Sequence, residues 1–268
     1  MLWRAVVTLM GISAFALAPA HAEKRSWPWP SDVFNAQRRT HVAGQFDYYL
    51  LVLSWSPTHC MAATPGRDDM QCARRDGRRF GFILHGLWPQ YERGYPTRCR
   101  TAWKPFGPEP VIASMRDVTP GRGLVIHEYR EHGTCSGLRP AAYFALARQL
   151  YNRIHIPKRY ENPFDVQFIG PREVLADFLS ANPGLKPDMI AVMCGGSGNR
   201  LREVRICMSK DGRPRRCGDA VGSHAACRAG KMHVPPVRST WRPGRHHALG
   251  NDEKPLPHPR IIESPSPF

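Results

Sequence analysis

Long apolar runs are scarce in this 268-residue chain. Beyond residue 22 none approaches the ~20 residues a membrane-spanning helix needs, so no membrane anchor is expected in the mature protein. Close cysteine pairs are missing too. The eight cysteines (Cys60, Cys72, Cys99, Cys135, Cys194, Cys207, Cys217, Cys227) never come nearer than ten residues, and the lack of Cys-x-x-Cys spacing argues against structural zinc. Acidic residues are few, 22 Asp and Glu against 38 Lys and Arg. The excess of base favours polyanionic partners, although exported proteins are often basic for other reasons. No internal repeat is present.

At the N-terminus a single charge, Arg4, precedes an uncharged and mostly apolar run from Ala5 to Pro19 that closes on Ala20-His21-Ala22. This is the shape of a secretory signal peptide over 1–22, with the mature chain starting at Glu23. Its removal leaves 37 Lys and Arg against 22 acids, a formal +15. The expected location is periplasmic or secreted. An even cysteine count in an exported chain reads as four disulfides. Spacing cannot select among on the order of a hundred pairings, but local hairpins suit Cys60–Cys72 and Cys207–Cys217.

Residues 23–43 are basic, contain Pro and Trp, and read as an arm draped on the domain. The run Phe46 to Ser54 (FDYYLLVLS) predicts a buried strand, and Phe80 to Leu84 a second that meets Gly86 and Pro89, where regular pairing should end. Helical segments are expected over Pro110 to Val118, Gly123 to His132, Pro140 to His155 and Arg172 to Leu179. The third carries the clearest apolar stripe, through Tyr143, Phe144, Ala147, Leu150, Tyr151 and Ile154. Met189 to Cys194 and Leu201 to Met208 read as strands, followed by a turn at Asp211-Gly212. Strands and helices do not alternate regularly, which predicts an α+β domain over 44–233. Prolines recur beside Arg, His and Ser from Val234 onward, the composition of a flexible basic tail over 234–268.

Among residues that could do chemistry, the segment His127-Glu-Tyr-Arg-Glu-His132 stands out. On a helix turning ~100° per residue, positions 127, 128, 131 and 132 fall within about 140° of arc, so two imidazoles and two carboxylates would share a face. A charged face laced with ordinary ion pairs has the same pattern. A zinc protease helix needs its histidines four residues apart, and these are five apart, which turns the second away from a shared metal. His85 alone, at a strand end, reads as a hydrogen-bonded structural residue.

Taken together, Phe82-Ile-Leu-His85-Gly-Leu-Trp-Pro89 and His127-Glu-Tyr-Arg-Glu-His132-Gly-Thr-Cys135 resemble the two active-site segments of the ribonuclease T2 family. The likeness extends from Leu51-Val-Leu-Ser-Trp55 to Leu201-Arg-Glu-Val-Arg-Ile-Cys207 and covers roughly Phe46 to Cys227. It implies a single α+β domain with a mostly antiparallel sheet flanked by helices. It further implies a metal-independent endoribonuclease, without cofactor, that cuts single-stranded RNA with low base specificity through a 2′,3′-cyclic phosphate to a 3′-phosphate. By this resemblance His132 is the general base, His85 the general acid, Glu128 lies beside the transition state and His127 contacts the phosphate. Trp88 could stack on a base or cap the core, and Gln90 or Tyr91 could read a base edge. DNA would be bound but not cleaved, since the nucleophile is the 2′-OH, and a monomer is expected. The family's pairing implies disulfides Cys60–Cys72, Cys99–Cys135, Cys194–Cys227 and Cys207–Cys217.

One position departs from the family: Glu131 stands where a lysine usually precedes the catalytic histidine. The reversed charge calls for compensation from Arg130 or another base on the phosphate, and it should favour protonated His132. On this reading Glu131→Lys would raise activity. The alternative is a catalytically weakened, RNA- or polyanion-binding relative. Tyr129, in place of the usual tryptophan, is expected to pack in the core.

Overall fold

A run as apolar as YYLLVLSW, with no polar alternation, makes sense only in a strand covered on both faces. In the computed structural model, which describes residues 41–64, 69–219, 221 and 226–240, that run is strand β1, Tyr48–Trp55. Tyr49, Leu51, Leu53 and Trp55 point into the main core with the helices. Tyr48, Leu50 and Val52 point the other way, into a smaller cluster with Ala191, Cys207 and Val221.

Around β1 the sheet adds β2 (Phe82–Gln90), β3 (Gln167–Ile169), β4 (Ile190–Gly195), β5 (Arg200–Met208) and β6 (Met232–Val234). The order is β2-β1-β5-β6-β3, with β4 also paired to β5. Every pairing is antiparallel except the single β5–β6 pair Arg200↔His233. Among the described residues six helices flank it: α1 (Ser56–Ala62), α2 (Asp69–Cys72), α3 (Glu109–Ser114), α4 (Arg122–Glu131), α5 (Pro140–Asn152) and α6 (Pro171–Ala181). The α5 stripe buries Tyr143, Phe144, Ala147 and Leu150, as its sequence predicts.

Strand β2 differs from expectation because pairing does not stop at Gly86 or Pro89 but continues to Gln90. It is an edge strand, where a proline without an N–H breaks no ladder bond. The break is instead one residue wide. Val52 pairs with Gly86 and Leu53 with Leu84, so His85 is left over as a bulge. The outer edge of β2 is covered by other elements. Leu84 N–H donates to the Val118 carbonyl (2.9 Å), Thr119 Oγ1 donates to the Leu84 carbonyl (2.8 Å), and Tyr143 Oη donates to the Leu87 carbonyl (2.9 Å). These bonds dock the α3–α4 connection and α5 against β2 on either side of His85.

All four disulfides implied by the family resemblance are present: Cys60–Cys72, Cys99–Cys135, Cys194–Cys227 and Cys207–Cys217. The expected tail begins later than its proline content suggests. Val234 lies in β6, Val237 is buried, Trp55 Nε1 donates to the Pro235 carbonyl (3.1 Å) and Thr240 N–H to the Gly77 carbonyl (3.0 Å). A few apolar side chains and a set of hydrogen bonds order this stretch, among them Val237 N–H to the Pro163 carbonyl (2.8 Å) and Ser239 N–H to Asn162 Oδ1 (2.8 Å). At the other end Val42 forms an isolated bridge with Arg100. The expected signal peptide, the arm up to residue 40 and the tail beyond 240 lie outside the described residues.

Candidate active site

The bulge in β2 sets His85 between two carboxylates. Its Nδ1 lies 3.0 Å from Glu203 Oε1 on β5, and its Nε2 lies 3.5 Å from Glu128 Oε1 on α4. Glu128 is almost wholly buried and accepts a 2.6 Å hydrogen bond from Trp88 Nε1. Gly86 makes this approach possible. A Cβ there would collide with Glu128 Oε2 and Trp88 Nε1 and lie 3.0 Å from Glu128 Cδ.

His132 reaches the same place from the end of α4. The helix stops at Glu131, and His132 leaves helical geometry at φ −121° and ψ −48°. Gly133 follows, at a point where any Cβ would strike the Tyr129 ring. The His132 imidazole stacks on Trp88 with centroids 4.7 Å apart, and Trp88 meets His85 edge-on at 5.2 Å. One indole therefore spaces the two imidazoles. His132 Nδ1 is buried with no hydrogen-bond partner among the described residues.

Residues His127, Glu128, Glu131 and His132 do not share one helix face. Glu128 turns inward to His85, while the exposed His127 and the half-buried Glu131 line a cavity of about 600 Å³ with Arg98, Arg100, Arg130 and Trp103. An arc of 140° is wide enough to straddle the buried boundary, and His132 is no longer helical. Glu131 is not left uncompensated. Its carboxylate takes the Arg98 guanidinium (Nη2–Oε1 2.6 Å), and the Arg98 N–H donates to the Glu131 carbonyl (2.9 Å). The next residue, Cys99, is tied to Cys135. The compensating base is thus Arg98, while Arg130 lies exposed on the cavity wall.

Electrostatics push the two imidazoles apart. Burial, then the charges of His85 and His127, bring the His132 pKa down to about 3, so the expectation that Glu131 would keep His132 protonated does not hold. Burial also works against charge on His85, but the Glu203 hydrogen bond and the Glu128 and Glu203 charges outweigh it and raise its pKa. Glu128 is pushed up to about 7 by desolvation, against the pull of His85 and Trp88. Desolvation opposes charge on Glu203 as well, yet its bonds to His85 and Arg205 hold it at about 2.

Trp88, expected to stack on a base or cap the core, and Gln90, a candidate reader of a base edge, are otherwise engaged. Trp88 is occupied by Glu128, His132 and His85, with the Arg205 guanidinium over its ring at 5.4 Å. Gln90 is buried, and its Nε2 donates to the Pro89 carbonyl (2.9 Å). Tyr91 is buried as well. Tyr129 packs in the core as expected, accepting from Trp103 Nε1 (2.7 Å) and donating to the Leu138 carbonyl (2.8 Å).

The sequence reading missed Glu203 and Arg205. Arg205 donates to Glu203 Oε2 through Nε (2.8 Å) and Nη2 (2.7 Å). The available signal was a pair of opposite charges two residues apart in Leu201-Arg-Glu-Val-Arg-Ile-Cys207, on the same face as the buried Cys207. Their connection to His85 depends on sheet order, in which Gly86, Val52 and Arg205 form one cross-strand row.

Comparison with known proteins gives one consistent grouping. The model of the Ribonuclease T2 family matches residues 46–217. A ribonuclease of Aeromonas hydrophila is 38% identical over 197 residues, which span 69% of this chain and 80% of that protein. Among solved structures, trichomaglin, described as an S-like ribonuclease, superposes with a TM-score of 0.58 at 22% identity, covering 72% of this chain and 99% of the other. RNase NT in complex with 5′-AMP gives 0.55 at 20% identity, with the same coverage.

Proposed function

The chain belongs to the ribonuclease T2 family and is an endoribonuclease; from that premise we propose that it cleaves single-stranded RNA by transphosphorylation, with His132 as general base and His85 as general acid. The observation that carries this reading is the pair of imidazoles spaced by Trp88, with His85 set between the carboxylates of Glu203 and Glu128, which favour its charged form, and His132 partly buried with its Nδ1 unpartnered among the described residues, which favours its neutral form. Neutral His132 takes the proton of the ribose 2′-OH, whose oxygen attacks the adjacent phosphorus. Protonated His85 delivers its Nε2 proton to the departing 5′-oxygen. The first products are a 2′,3′-cyclic phosphate and a free 5′-OH. Water then opens the cyclic ester with the two roles exchanged, leaving a 3′-phosphate.

Glu128 supports the pentavalent intermediate. With a pKa near 7 its carboxyl holds a proton through the weakly acidic range, so it donates to a phosphoryl oxygen instead of repelling it. His127, with Arg130 on the same cavity wall, meets the phosphate chain from the solvent side. Weak base preference is supported by Trp88, whose ring already meets His132, His85 and Arg205 and so is not free to stack on a base, and by Gln90, whose buried amide is taken by the Pro89 carbonyl and not by a base edge. DNA binds through charge and is not cut, because it lacks the 2′-OH. All the proposed groups come from one chain, so a monomer suffices. A signal peptide over 1–22, export to the periplasm or medium, and a basic tail complete the proposal, and four disulfides suit an oxidising compartment. The alternative of a weakened polyanion binder loses its support once Arg98 neutralises Glu131.

The test is replacement of either histidine. His85→Ala and His132→Ala should each lower turnover of RNA by about 10²- to 10⁴-fold with the circular-dichroism spectrum unchanged. A folded variant that keeps wild-type turnover would remove that residue from its role.

A further inference from the structure

Glu203 is an unusual residue for the middle of a sheet. It sits on β5 between β1 and β4, opposite Ser54 and Met193, and is buried. An acid taken out of water without partners would protonate or destabilise the strand. Here both oxygens are engaged: Oε1 by His85 Nδ1 at 3.0 Å and Oε2 by the Arg205 guanidinium at 2.7 and 2.8 Å. The Arg205 contacts keep the carboxylate ionised. An ionised carboxylate can only accept, so the nitrogen facing it must carry a hydrogen.

This fixes the tautomer of His85. With Nδ1–H committed to Glu203, the nitrogen left for chemistry is Nε2, which points toward Glu128 at 3.5 Å. The charged groups around His85 are Glu203 and Arg205 from β5 and Glu128 from α4, with His132 beyond Trp88. Glu128 is shared with Trp88, whereas Glu203 makes the direct hydrogen bond.

We propose that Glu203 is a positioning residue for RNA cleavage, holding His85 by Nδ1–H so that Nε2 faces the departing 5′-oxygen, while Arg205 holds Glu203 ionised. The proposal rests on His85 being the general acid. It assigns to β5 a part in the reaction that neither active-site segment contains.

Comparing two substrates of one enzyme separates positioning from a merely structural role. Uridylyl-3′,5′-adenosine expels an alkoxide that needs a proton, while uridine 3′-(4-nitrophenyl phosphate) expels a phenolate that does not. Glu203→Gln should lower kcat on the dinucleoside phosphate by about 10- to 100-fold with KM within about twofold. The basic limb of its pH profile should move down by about half a unit or more. On the nitrophenyl ester kcat should stay within about threefold of wild type. Equal losses on both substrates, an unmoved basic limb, or a fully active variant would overturn the proposal. His85→Ala serves as the reference: if it also loses equally on both substrates, the acid assignment itself fails, whatever Glu203 does. Nitrogen-15 spectra of the wild-type enzyme provide a test that depends on no variant. Neutral His85 should be the Nδ1–H tautomer, and an Nε2–H tautomer would overturn the proposal.

Discussion

Replacing Gly86 with alanine probes the packing that brings Glu128, Trp88 and His85 together. The added methyl would occupy the space where Glu128 Oε2 meets Trp88 Nε1. Neither partner can retreat easily: Glu128 is buried against His85, and Trp88 is backed by His132. The Trp88–Glu128 hydrogen bond should therefore break. A hydrogen bond to a neutral carboxyl contributes about 1 kcal/mol, and overpacking a filled site costs about 1–3 kcal/mol more. A loss of about 3 kcal/mol in stability is expected, which for a domain of this size lowers Tm by roughly 6–12 °C. Displacing Glu128 should also cost about 10- to 100-fold in kcat on a dinucleoside phosphate, since each 1.4 kcal/mol is tenfold. Calorimetry and steady-state kinetics measure the two effects. Gly184→Ala is the control, because a Cβ there meets nothing within 4 Å, and it should change neither. A Gly86→Ala enzyme with wild-type Tm and kcat would show that Glu128 and Trp88 do not meet across Gly86.

Charge carries the further predictions. Activity should span the acidic range, with the acid limb of kcat/KM set by His132 near 3 and the alkaline limb by His85, above its ordinary 6.5, together with Glu128 near 7; an optimum above pH 8 would contradict the assignment of acid and base. Stability should fall at both ends. The His132 and Glu203 pKa values are depressed, so their contributions weaken as pH drops from about 6.5 and 4.5 toward the folded values, whereas Glu128, raised, loses its contribution as pH climbs from about 4.5 through 7. At the cavity, Arg98→Ala should raise KM for RNA about three- to tenfold by uncovering the Glu131 charge, and adding Glu131→Ala should restore it. A double variant no better than Arg98→Ala would mean that Arg98 itself touches RNA. Glu131→Lys, which a sequence reading expects to be beneficial, places two cations together and should not raise activity.

Local pattern accounts for most of the fold. The unbroken apolar run of β1 marked a strand buried on both faces, and the stripe opened by Pro140 marked α5, because burial of one segment against any core leaves its period in the sequence. His85 and His132 were legible as well, since each lies in a long and distinctive segment. What escaped the sequence depends on contacts between distant residues. Glu203 lies 118 residues from His85 in sequence and faces it only because β5 is placed beside β1. Arg98 finds Glu131 only because the Cys99–Cys135 disulfide brings its loop to the end of α4. Gly86 and Pro89 looked like strand breakers, yet on an edge strand they cost no pairing, and the one-residue bulge at His85 has no signature of its own. The split of α4 between Glu128 and His127 was hidden for a related reason. Helical geometry gives the arc but not where the core boundary cuts it.

The chemistry of the cut ends tests the central claim most directly. Phosphorus-31 spectra followed through digestion of a short single-stranded RNA, in excess chelator, should show a 2′,3′-cyclic phosphate that accumulates first and then converts to a 3′-phosphate, with no cleavage at a 2′-O-methyl nucleotide. Products ending in 5′-phosphate, or cutting beside a blocked 2′-oxygen, would contradict an account in which His132 activates the 2′-OH and His85 releases the 5′-oxygen.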